Sequence, residues 1–432
     1  MNCSMEEVLK FVQENDVKFI RLAFCDLIGV QKNISIMPCE LERAFANGIS
    51  FDASAVKGFS GGATTELFLH PDPGTLSILP WRPMTGRVAR FFCDITYADG
   101  APFERDGRAL LKKVVESCAK EGYSCRISTE SEFYLFQLDE RQQPTKIPHD
   151  NGGYLDVAPL DRGENVRREI CLTLEEMGLR PESSHHEQGP GQNEIDFHYS
   201  SALEAADNFI TFKWIVKTSA SRNGLHATFM PKPAKDLCGS GLHINMSLSK
   251  NGENLFVNDP QRHNPVAESF IAGILNRICC ITAFLNPTLN SYQRLNSDNA
   301  PGYVSWSHEN HSQLVRIPAA VGDSARMELR SADNACNPYI ALALLISAGM
   351  EGIANKEPLP KPSAVNFASR DADPAGLTPL PKTLAKALML AESSEFVRSV
   401  LPESLLSAFL AIKHSEAVGD ERAEAERYFR AI

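Results

Sequence analysis

Two glutamates that lie two residues apart are the first feature of this sequence that could do chemistry. They are Glu130 and Glu132, in the segment 126–136 with the sequence RISTESEFYLF. Side chains of a β-strand alternate between its two faces, so both carboxylates point the same way, about 7 Å apart. Two like charges on a face turned to the protein interior are costly unless a cation neutralises them. The segment therefore predicts either a cation-binding strand or an ordinary solvent-facing strand surface.

A second pair of glutamates flanks a tight turn. Glu187 and Glu194 lie on either side of the Gly-Pro-Gly sequence at 189–191. Glycine and proline favour a turn that folds two short strands back onto each other. We therefore expect these two carboxylates to lie close together in space.

Two later segments, 242–248 and 326–330, alternate apolar and polar residues, as half-buried strands do. Their apolar residues form the faces turned to the core. Their polar faces carry, in chain order, His243, Asn245, Ser247, Arg326, Glu328 and Arg330.

Together, four strands present a polar face with five glutamates, one histidine and several arginines, but no lysine. Five carboxylates and a neutral imidazole would carry a charge of about −5, which suits two divalent cations, and oxygen-rich ligand sets favour Mg²⁺ or Mn²⁺ over zinc. Arginine side chains match phosphate and carboxylate groups. Metal ions with arginines indicate chemistry on a nucleoside triphosphate. The sequence has no Gly-x-x-x-x-Gly-Lys-Ser/Thr loop, so a sheet would have to hold the nucleotide.

The elements that position these strands indicate an α+β fold. Residues 17–37 alternate on both sides of a turn at Gly29, which predicts a strand-turn-strand unit, and 87–95 predicts a further strand. Asp106 can cap a helix that runs to about residue 121. We predict a small sheet-rich domain at 1–103 and a larger α+β domain at 104–432, in line with about 100–200 residues per domain.

The composition excludes several classes of protein. The 432 residues include 43 Lys+Arg and 54 Asp+Glu, a formal net charge of −11, whereas a dedicated nucleic-acid binder carries a basic surface. Residues 1–15 lack the basic and apolar regions of a secretory signal. The longest apolar run, 339–348, has about half of the ~20 residues of a membrane span, so it predicts a buried helix.

The 11 cysteines include no Cys-x-x-Cys pair and are expected to be reduced thiols. We expect a cytoplasmic protein with no nucleic-acid or membrane partner.

Six motifs, in order and at nearly the same spacing, resemble the bacterial (type I) glutamine synthetase family. They are SEFYLF at 131–136, HHE-x(4)-QNE at 185–194, FMPKP at 229–233, GSG-x-H at 239–243, NPTLNSYQRL at 286–295 and NPY at 337–339. The match runs from about residue 15 to the C-terminus. It implies an N-terminal β-grasp domain and a glutamine-synthetase catalytic domain with a curved antiparallel sheet.

The resemblance also implies an assembly and a reaction. The family forms a dodecamer of two stacked hexameric rings, in which the N-terminal domain of one subunit completes the active site of its neighbour. With two or three Mg²⁺ or Mn²⁺ ions, ATP phosphorylates the side-chain carboxylate of glutamate, and ammonia then displaces phosphate from the acyl phosphate.

By position, the resemblance assigns roles to individual residues of this chain. One metal would be held by Glu132, Glu187 and Glu194, and the other by Glu130, His243 and Glu328. The ATP side would be lined by Glu182, Asn245, Ser247, Arg316 and Arg326. Glutamate, its developing phosphate and the second substrate would contact Tyr154, Gly239, Arg294, Asn299, His311 and Arg330. Asp52 would reach into the neighbouring subunit and help to deprotonate ammonium. Asp52 could instead cap a helix, Tyr154 could be a packing residue, and Arg316 could form a structural ion pair.

The sequence departs from the family mainly around the second substrate. Asn299 stands where the family has a flap glutamate, and an amide cannot accept a proton at neutral pH. This general base is therefore missing unless Asp298 takes its place. Cys238 replaces an asparagine beside the substrate's amino group, His311 replaces an arginine near the transferred phosphate, and Ala55 replaces a serine near the ammonium pocket.

Three hypotheses follow from this pattern. The first is ordinary glutamine synthesis with an altered flap. The second is ligation of glutamate, or a related acid, to an amine larger than ammonia, because all six metal positions are retained while contacts to the second substrate are lost. The third is a catalytically inactive binding or structural protein with the same fold. The first two share one chemistry, and we favour an ATP-dependent carboxylate–amine ligase.

Overall fold

The computed structural model describes residues 4–61, 65–256, 264–297, 300–367, 369 and 372–432. Its α-helices are α1 Met5–Glu14, α2 Leu41–Asn47, α3 Gly107–Lys120, α4 Glu164–Glu176, α5 Ala202–Arg222, α6 Pro265–Leu285, α7 Leu289–Leu295, α8 Pro338–Asn355, α9 Leu384–Glu392, α10 Glu395–Val400, α11 Glu403–Ala417 and α12 Glu421–Ala431. Its strands are β1 Val17–Cys25, β2 Gln31–Ile36, β3 Ile49–Asp52, β4 Glu66–Pro71, β5 Ser77–Ile78, β6 Arg87–Thr96, β7 Tyr123–Leu138, β8 Pro144–Pro148, β9 Pro181–His186, β10 Gln192–Phe197, β11 Ser200–Ser201, β12 Leu225–Thr228, β13 Leu242–Lys250, β14 Glu253–Asn254, β15 Trp306–His308, β16 Val315–Ile317 and β17 Met327–Leu329.

The first six strands form one sheet, in the order β2-β1-β6-β4-β3, with β5 also paired to β6. β1 and β6 run parallel, and the other pairs run antiparallel. The predicted strand-turn-strand unit is confirmed as β1 and β2, and the predicted strand at 87–95 is β6. Gly29 takes a φ of +82° at the turn, and a Cβ there would lie 2.8 Å from Asn337 Cα. Only glycine allows the turn to approach the start of α8 this closely.

The second sheet is built around β7, a strand of 16 residues. Its strand order is β15-β16-β17-β13-β7-β10-β9, with β8, β11 and β12 also paired to β7 and β14 paired to β13. All pairs are antiparallel except β15 with β16 at one edge. The long central strand therefore organises the segments that carry the predicted site residues.

Two long apolar helices, α6 and α8, pack against each other in the core. A Cβ at Gly273 of α6 would lie 2.2 Å from the carbonyl oxygen of Ala348 in α8, so the two backbones are in close contact. Both helices are long and apolar enough to cross a membrane, but 67% of the most apolar window of each is buried inside the fold. The prediction of a buried helix at 339–348 is confirmed by α8.

A buried arginine on α3 links the first sheet to helix α5. Arg108 forms ion pairs with Asp72 and Asp94 at 2.8 Å and with Asp207 on α5 at 2.9 Å. The predicted cap is confirmed, since the Asp106 carboxylate accepts a hydrogen bond from the Arg108 backbone N–H at 2.9 Å. The domain boundary at 103/104 stays a prediction. The ten cysteines among the described residues are all free thiols.

Candidate active site

Antiparallel pairing gathers the polar faces of six strands onto one surface of the second sheet. Paired residues form three rows across these strands, namely His185–Glu194–Glu132, Asp196–Glu130–His243 and Asn245–Glu328–Arg316. Directly opposite residues of antiparallel strands project from the same face with Cβ atoms about 4.5–5.5 Å apart. The polar faces predicted separately from four segments therefore form a single surface.

This surface borders a cavity of about 500 Å³, within the size range of small-molecule sites. The predicted site residues that line the cavity are Glu130, Glu132, Tyr154, Glu187, Glu194, Gly239, His243, Arg294, His311, Arg316 and Arg330. Among the described residues, those predicted for the site but absent from its lining are Asp52, Glu182, Asn245, Ser247, Arg326 and Glu328. Asp298 and Asn299 lie outside the described residues.

His243 lies at the centre of the acidic cluster. Its Nδ1 is 3.1 Å from Glu130 Oε2 and 3.6 Å from Glu328 Oε1, and its Nε2 is 3.9 Å from Glu132 Oε1. Glu130 also accepts a hydrogen bond from the Asn245 amide at 2.8 Å. Three carboxylates thus surround one imidazole, which concentrates negative charge at this end of the cavity.

Burial and mutual repulsion set the protonation of these carboxylates. Burial, followed by the charge of Glu132, raises the pKa of Glu194 well above its ordinary value, and burial also raises the pKa of Glu132. Burial opposes the ionised form of Glu130 as well, but the hydrogen bonds from His243 and Asn245 outweigh it and lower its pKa to about 2. Carboxylates crowded in this way are strongly favoured to ionise when a cation enters between them.

Two groups of side chains on the cavity wall have the spacing to hold cations. Their ligand atoms lie within 4.8 Å of one another, in Glu130, Glu194 and His243, and in His185, Glu187 and Glu194. Carboxylate oxygens with one or two imidazoles are a donor set that Mg²⁺ and Mn²⁺ accept. The grouping differs from the predicted division of ligands, because Glu194 belongs to both groups and His185 joins one. The predicted division stays a prediction.

Glu328 is fully buried and is held by two arginines. The Arg316 and Arg330 guanidinium groups each donate a short hydrogen bond to its carboxylate. Both arginines also line the cavity, so each can face an anionic ligand while it neutralises Glu328. Arg316 therefore forms the structural ion pair that was its alternative role, and it also lies on the cavity wall.

Arg294 is buried, and its guanidinium group donates to backbone carbonyl oxygens rather than to a carboxylate. Its Nη1 donates to the carbonyl oxygens of Ser331 and Ala332 at 2.8 and 3.0 Å, and its Nη2 donates to the Arg330 carbonyl at 3.1 Å. Burial lowers its pKa. Arg294 therefore fixes the chain just beyond Glu328 while it lines the cavity.

The residues predicted for the ATP side do not lie together in the structure. The Asn245 amide links Arg326 to the predicted metal ligand Glu130, since its nitrogen donates to Glu130 and its oxygen accepts from Arg326 Nε at 3.1 Å. Ser247 is buried, and Glu182 is exposed with its carboxylate 3.8 Å from His198. Of the predicted ATP residues, only Arg316 lines the cavity.

Only some of the residues predicted for the second substrate lie at the cavity of this chain. Asp52 is exposed and its carboxylate accepts the Ser54 backbone N–H at 2.9 Å, so it caps the short 3-10 helix at 53–55. Tyr154 is 58% exposed at the cavity and meets His185 edge-on at 5.7 Å. Burial lowers the pKa of His311, which favours its neutral form.

Six residues that line the cavity were not predicted for the site, namely His185, Gln188, Gln192, Asp196, Gly241 and Ser297. Asp196 lies two residues from Glu194, and His185 two residues from Glu187. The alternation that identified Glu130 and Glu132 could have identified both. Asp196 pairs in register with Glu130, and burial raises its pKa. Gln192 lies within the motif at 185–194, but its residue type gives no sign of a role in the site.

A third group with the spacing to hold a cation does not line the cavity and is already neutralised. It comprises Asp150, Asp161 and His186. His186 lies 2.9 Å from Asp150, and Arg167 pairs with Asp161 at 2.5 Å. The Asp150 and Asp161 carboxylates also accept hydrogen bonds from backbone N–H groups, among them that of Gly163. This group is therefore a structural network rather than a candidate metal site.

Comparisons with known proteins agree with this architecture. Residues 16–98 match the family model described as "Glutamine synthetase, beta-Grasp domain", and residues 104–428 match "Glutamine synthetase, catalytic domain". The chain is similar to the glutamine synthetase of Methanosarcina mazei, with 45% identity over 417 residues that cover 95% of this chain and 93% of that protein. It is similar to the glutamine synthetase of Clostridium saccharobutylicum, with 44% identity over 95% of this chain and 94% of that protein.

A solved structure described as "GmaS/ADP complex-Conformation 1" superposes with a TM-score of 0.86 at 30% identity, covering 95% of this chain and 96% of that one. The predicted β-grasp and catalytic domains are therefore confirmed, as are an enzyme of the glutamine synthetase-like ligase class and its dependence on ATP and Mg²⁺ or Mn²⁺. The family acts on small-molecule substrates and is typically oligomeric. The chain belongs to the glutamine synthetase family of ATP-dependent ligases.

Proposed function

We propose that this chain joins the side-chain carboxylate of glutamate to an amine, through an acyl phosphate formed with ATP. The observation that carries the proposal is the convergence of carboxylates, His243 and two arginines on one cavity. In the first step a glutamate oxygen attacks the γ-phosphorus, and the bond to ADP breaks. In the second step the amine nitrogen attacks the acyl carbon, phosphate leaves, and a proton passes to a base.

The acidic cluster supplies the metal ligands in this proposal. They are Glu130, Glu132, Glu187, Glu194, His243 and Glu328. Bound Mg²⁺ or Mn²⁺ would neutralise charge on the phosphate oxygens. Around it, the Glu130–His243–Asn245 hydrogen bonds keep the ligand oxygens in place before substrate arrives.

The arginines orient the anionic groups. Arg330 and Arg316 lie on the cavity wall and are anchored by the buried Glu328, so their guanidinium planes are held ready for phosphate. Arg294 would contact glutamate with the donors that its bonds to the 330–332 carbonyls leave free. His311, neutral where the family has a permanent charge, would leave the phosphate side less positive.

The amine in this proposal is larger than ammonia. Asn299 cannot act as the flap base, and Ala55, at the end of the short helix capped by Asp52, removes a hydroxyl beside the ammonium position. A larger primary amine needs no tight cage for a small cation, and the loss of a charged flap side chain leaves room for it. Tyr154, exposed at the cavity, would form one wall of this pocket.

Glutamine synthesis from ammonia is the second candidate. The identity of 43–45% to glutamine synthetases over 95% of the chain favours it. In this candidate Asp298 would take the place of the flap base. The catalytically inactive alternative would keep the fold and its nucleotide affinity without turnover.

Mass-spectrometric detection of products distinguishes these functions. The purified protein would be incubated with ATP, glutamate and Mg²⁺ or Mn²⁺, with ammonium, methylamine, ethanolamine and putrescine supplied separately. We expect a γ-glutamyl amide of one of the three amines. Glutamine as the sole product would support the second candidate. ATP binding without product would exclude glutamate ligation to these amines, and absence of ATP binding as well would support the inactive alternative.

The position of Asp52 supports an active site shared between subunits. Its carboxylate lies outside the cavity of its own chain, which supports a site completed by a neighbouring subunit. We propose a homo-oligomer and, as the resemblance to the family implies, a dodecamer of two hexameric rings that acts on small molecules in the cytoplasm.

A further inference from the structure

Gln192 lines the cavity although its side chain is fully buried. It begins β10, directly after the turn at 189–191, and its amide contacts three segments of the chain, namely β7, that turn and the loop before β13. None of the metal or arginine contacts described above accounts for it.

The amide nitrogen of Gln192 joins two acceptors that belong to different parts of the site. Nε2 donates to Glu132 Oε2 at 3.0 Å and to the Gly239 carbonyl oxygen at 3.0 Å, with Ser240 Oγ at 3.4 Å. Glu132 lies on β7, whereas Gly239 lies in the loop before β13. One amide therefore sets the distance between a carboxylate of the acidic cluster and the predicted substrate loop.

The orientation of this amide is determined by its surroundings. Its Oε1 accepts the Gly189 backbone N–H at 3.0 Å and lies 3.3 Å from the Tyr134 hydroxyl, which also donates to the Cys238 carbonyl at 2.9 Å. A reversed amide would point its oxygen at Glu132 and at the Gly239 carbonyl, which are both acceptors, and its NH₂ at a backbone N–H. Only the observed orientation satisfies every group.

As a result, the two oxygens of the Glu132 carboxylate differ in their hydrogen bonds. Oε2 accepts from Gln192 and from the Gly241 backbone N–H at 3.0 Å. Oε1 makes no hydrogen bond to any residue in the described part of the chain and lies 3.9 Å from His243 Nε2. Two donors on one oxygen leave the other directed into the acidic cluster.

We propose that Gln192 is a positioning residue, which presents Oε1 of Glu132 to a bound cation and couples it to the loop at Gly239. The inference rests on the proposed role of Glu132 as a metal ligand. Partners that orient a ligating carboxylate typically change metal affinity or activity by about 10–100-fold when they are removed. The same substitution should weaken glutamate binding, because it releases the Gly239 loop.

Direct Mn²⁺ binding tests this proposal independently of turnover. Titration calorimetry without substrates would compare the wild-type protein with Gln192→Met, which keeps the length of the side chain and removes the amide. Gln192→Asn keeps a buried amide but is one carbon too short to span Gly189 and Glu132, so it serves if the methionine variant does not fold. Gln137→Met is the matched control, since Gln137 lies on β7, donates to the Pro148 carbonyl at 3.1 Å and does not line the cavity.

We expect the Mn²⁺ dissociation constant to rise at least tenfold in either Gln192 variant, with KM for glutamate rising more than kcat falls. Gln137→Met should bind Mn²⁺ like the wild type. A folded Gln192→Met protein with wild-type Mn²⁺ affinity, or an equal loss in Gln137→Met, would overturn the positioning role alone. A wild-type protein that binds no Mn²⁺ would overturn the metal assignment as well.

Discussion

Glu416 on α11 connects the C-terminal helices to the loop that follows β3. Its carboxylate, only 5% exposed, accepts hydrogen bonds from Lys413 and Lys57 at 2.8 Å and from the Tyr428 hydroxyl at 2.9 Å. Burial would raise its pKa, but the charges and hydrogen bonds of the two lysines outweigh burial and lower the pKa from 4.5 to about 2. The ionised carboxylate is therefore an anchor between two distant parts of the chain.

The shift in pKa gives the size of the effect. A difference between 4.5 and about 2, at about 1.4 kcal/mol for each pKa unit, corresponds to about 3 kcal/mol of stability. Because the folded pKa is the lower one, this stabilisation is present above pH 4.5 and is lost as the pH falls toward 2. Glu416→Gln keeps the shape and removes the charge, so it should lower the free energy of unfolding by about 3 kcal/mol at pH 7 and by about half of that or less at pH 3.

Urea unfolding followed by circular dichroism measures both values. Glu403→Gln on the same helix is the control, since the Glu403 side chain is 71% exposed, and it should change stability by less than about 0.5 kcal/mol. A loss below about 1 kcal/mol for Glu416→Gln at pH 7, or an equal loss at pH 3 and pH 7, would refute the electrostatic reasoning.

Three further predictions concern the site. Glu130→Ala should abolish metal-dependent ATP turnover, measured by phosphate release, whereas the exposed Glu140→Ala should leave it intact; unchanged turnover in the first variant contradicts the metal assignment. Asn299→Glu should raise activity with ammonium, measured as glutamine formed, because it restores a group that can accept a proton. An unchanged rate in a variant that still binds ATP would show that the flap does not limit proton removal. Light scattering should report an oligomer of at least a hexamer, and a smaller particle would exclude Asp52 from a shared site.

Much of the site could be predicted from local pattern. Alternation identified the common face of Glu130 and Glu132, and the glycine-rich turn brought Glu187 and Glu194 together, because both depend only on neighbouring residues. The predicted strands at 17–37 and 87–95, the helix cap at Asp106 and the buried helix at 339–348 are confirmed for the same reason. The order of the sequence motifs was sufficient to identify the family.

The register between distant strands could not be predicted. It sets Asp196 beside Glu130 and Glu328 beside Asn245, and these two pairings join segments more than 60 residues apart. A shift of two residues in any strand would keep its polar side chains on the same face but change every pairing, and the alternation within one strand does not specify the choice. The buried position of Arg294 and the contacts of Gln192 depend on the same long-range packing.

The sequence by itself therefore determined which side chains are available for metal, phosphate and carboxylate chemistry, and on which face of each strand they lie. The tertiary structure alone decided which of them meet, that two arginines share Glu328, that one amide orients Glu132, and that Asp52 lies outside the cavity of its own chain. The physical reason is that side-chain alternation is a property of a single strand, whereas a site built from six strands depends on pairing energies that only the complete fold supplies.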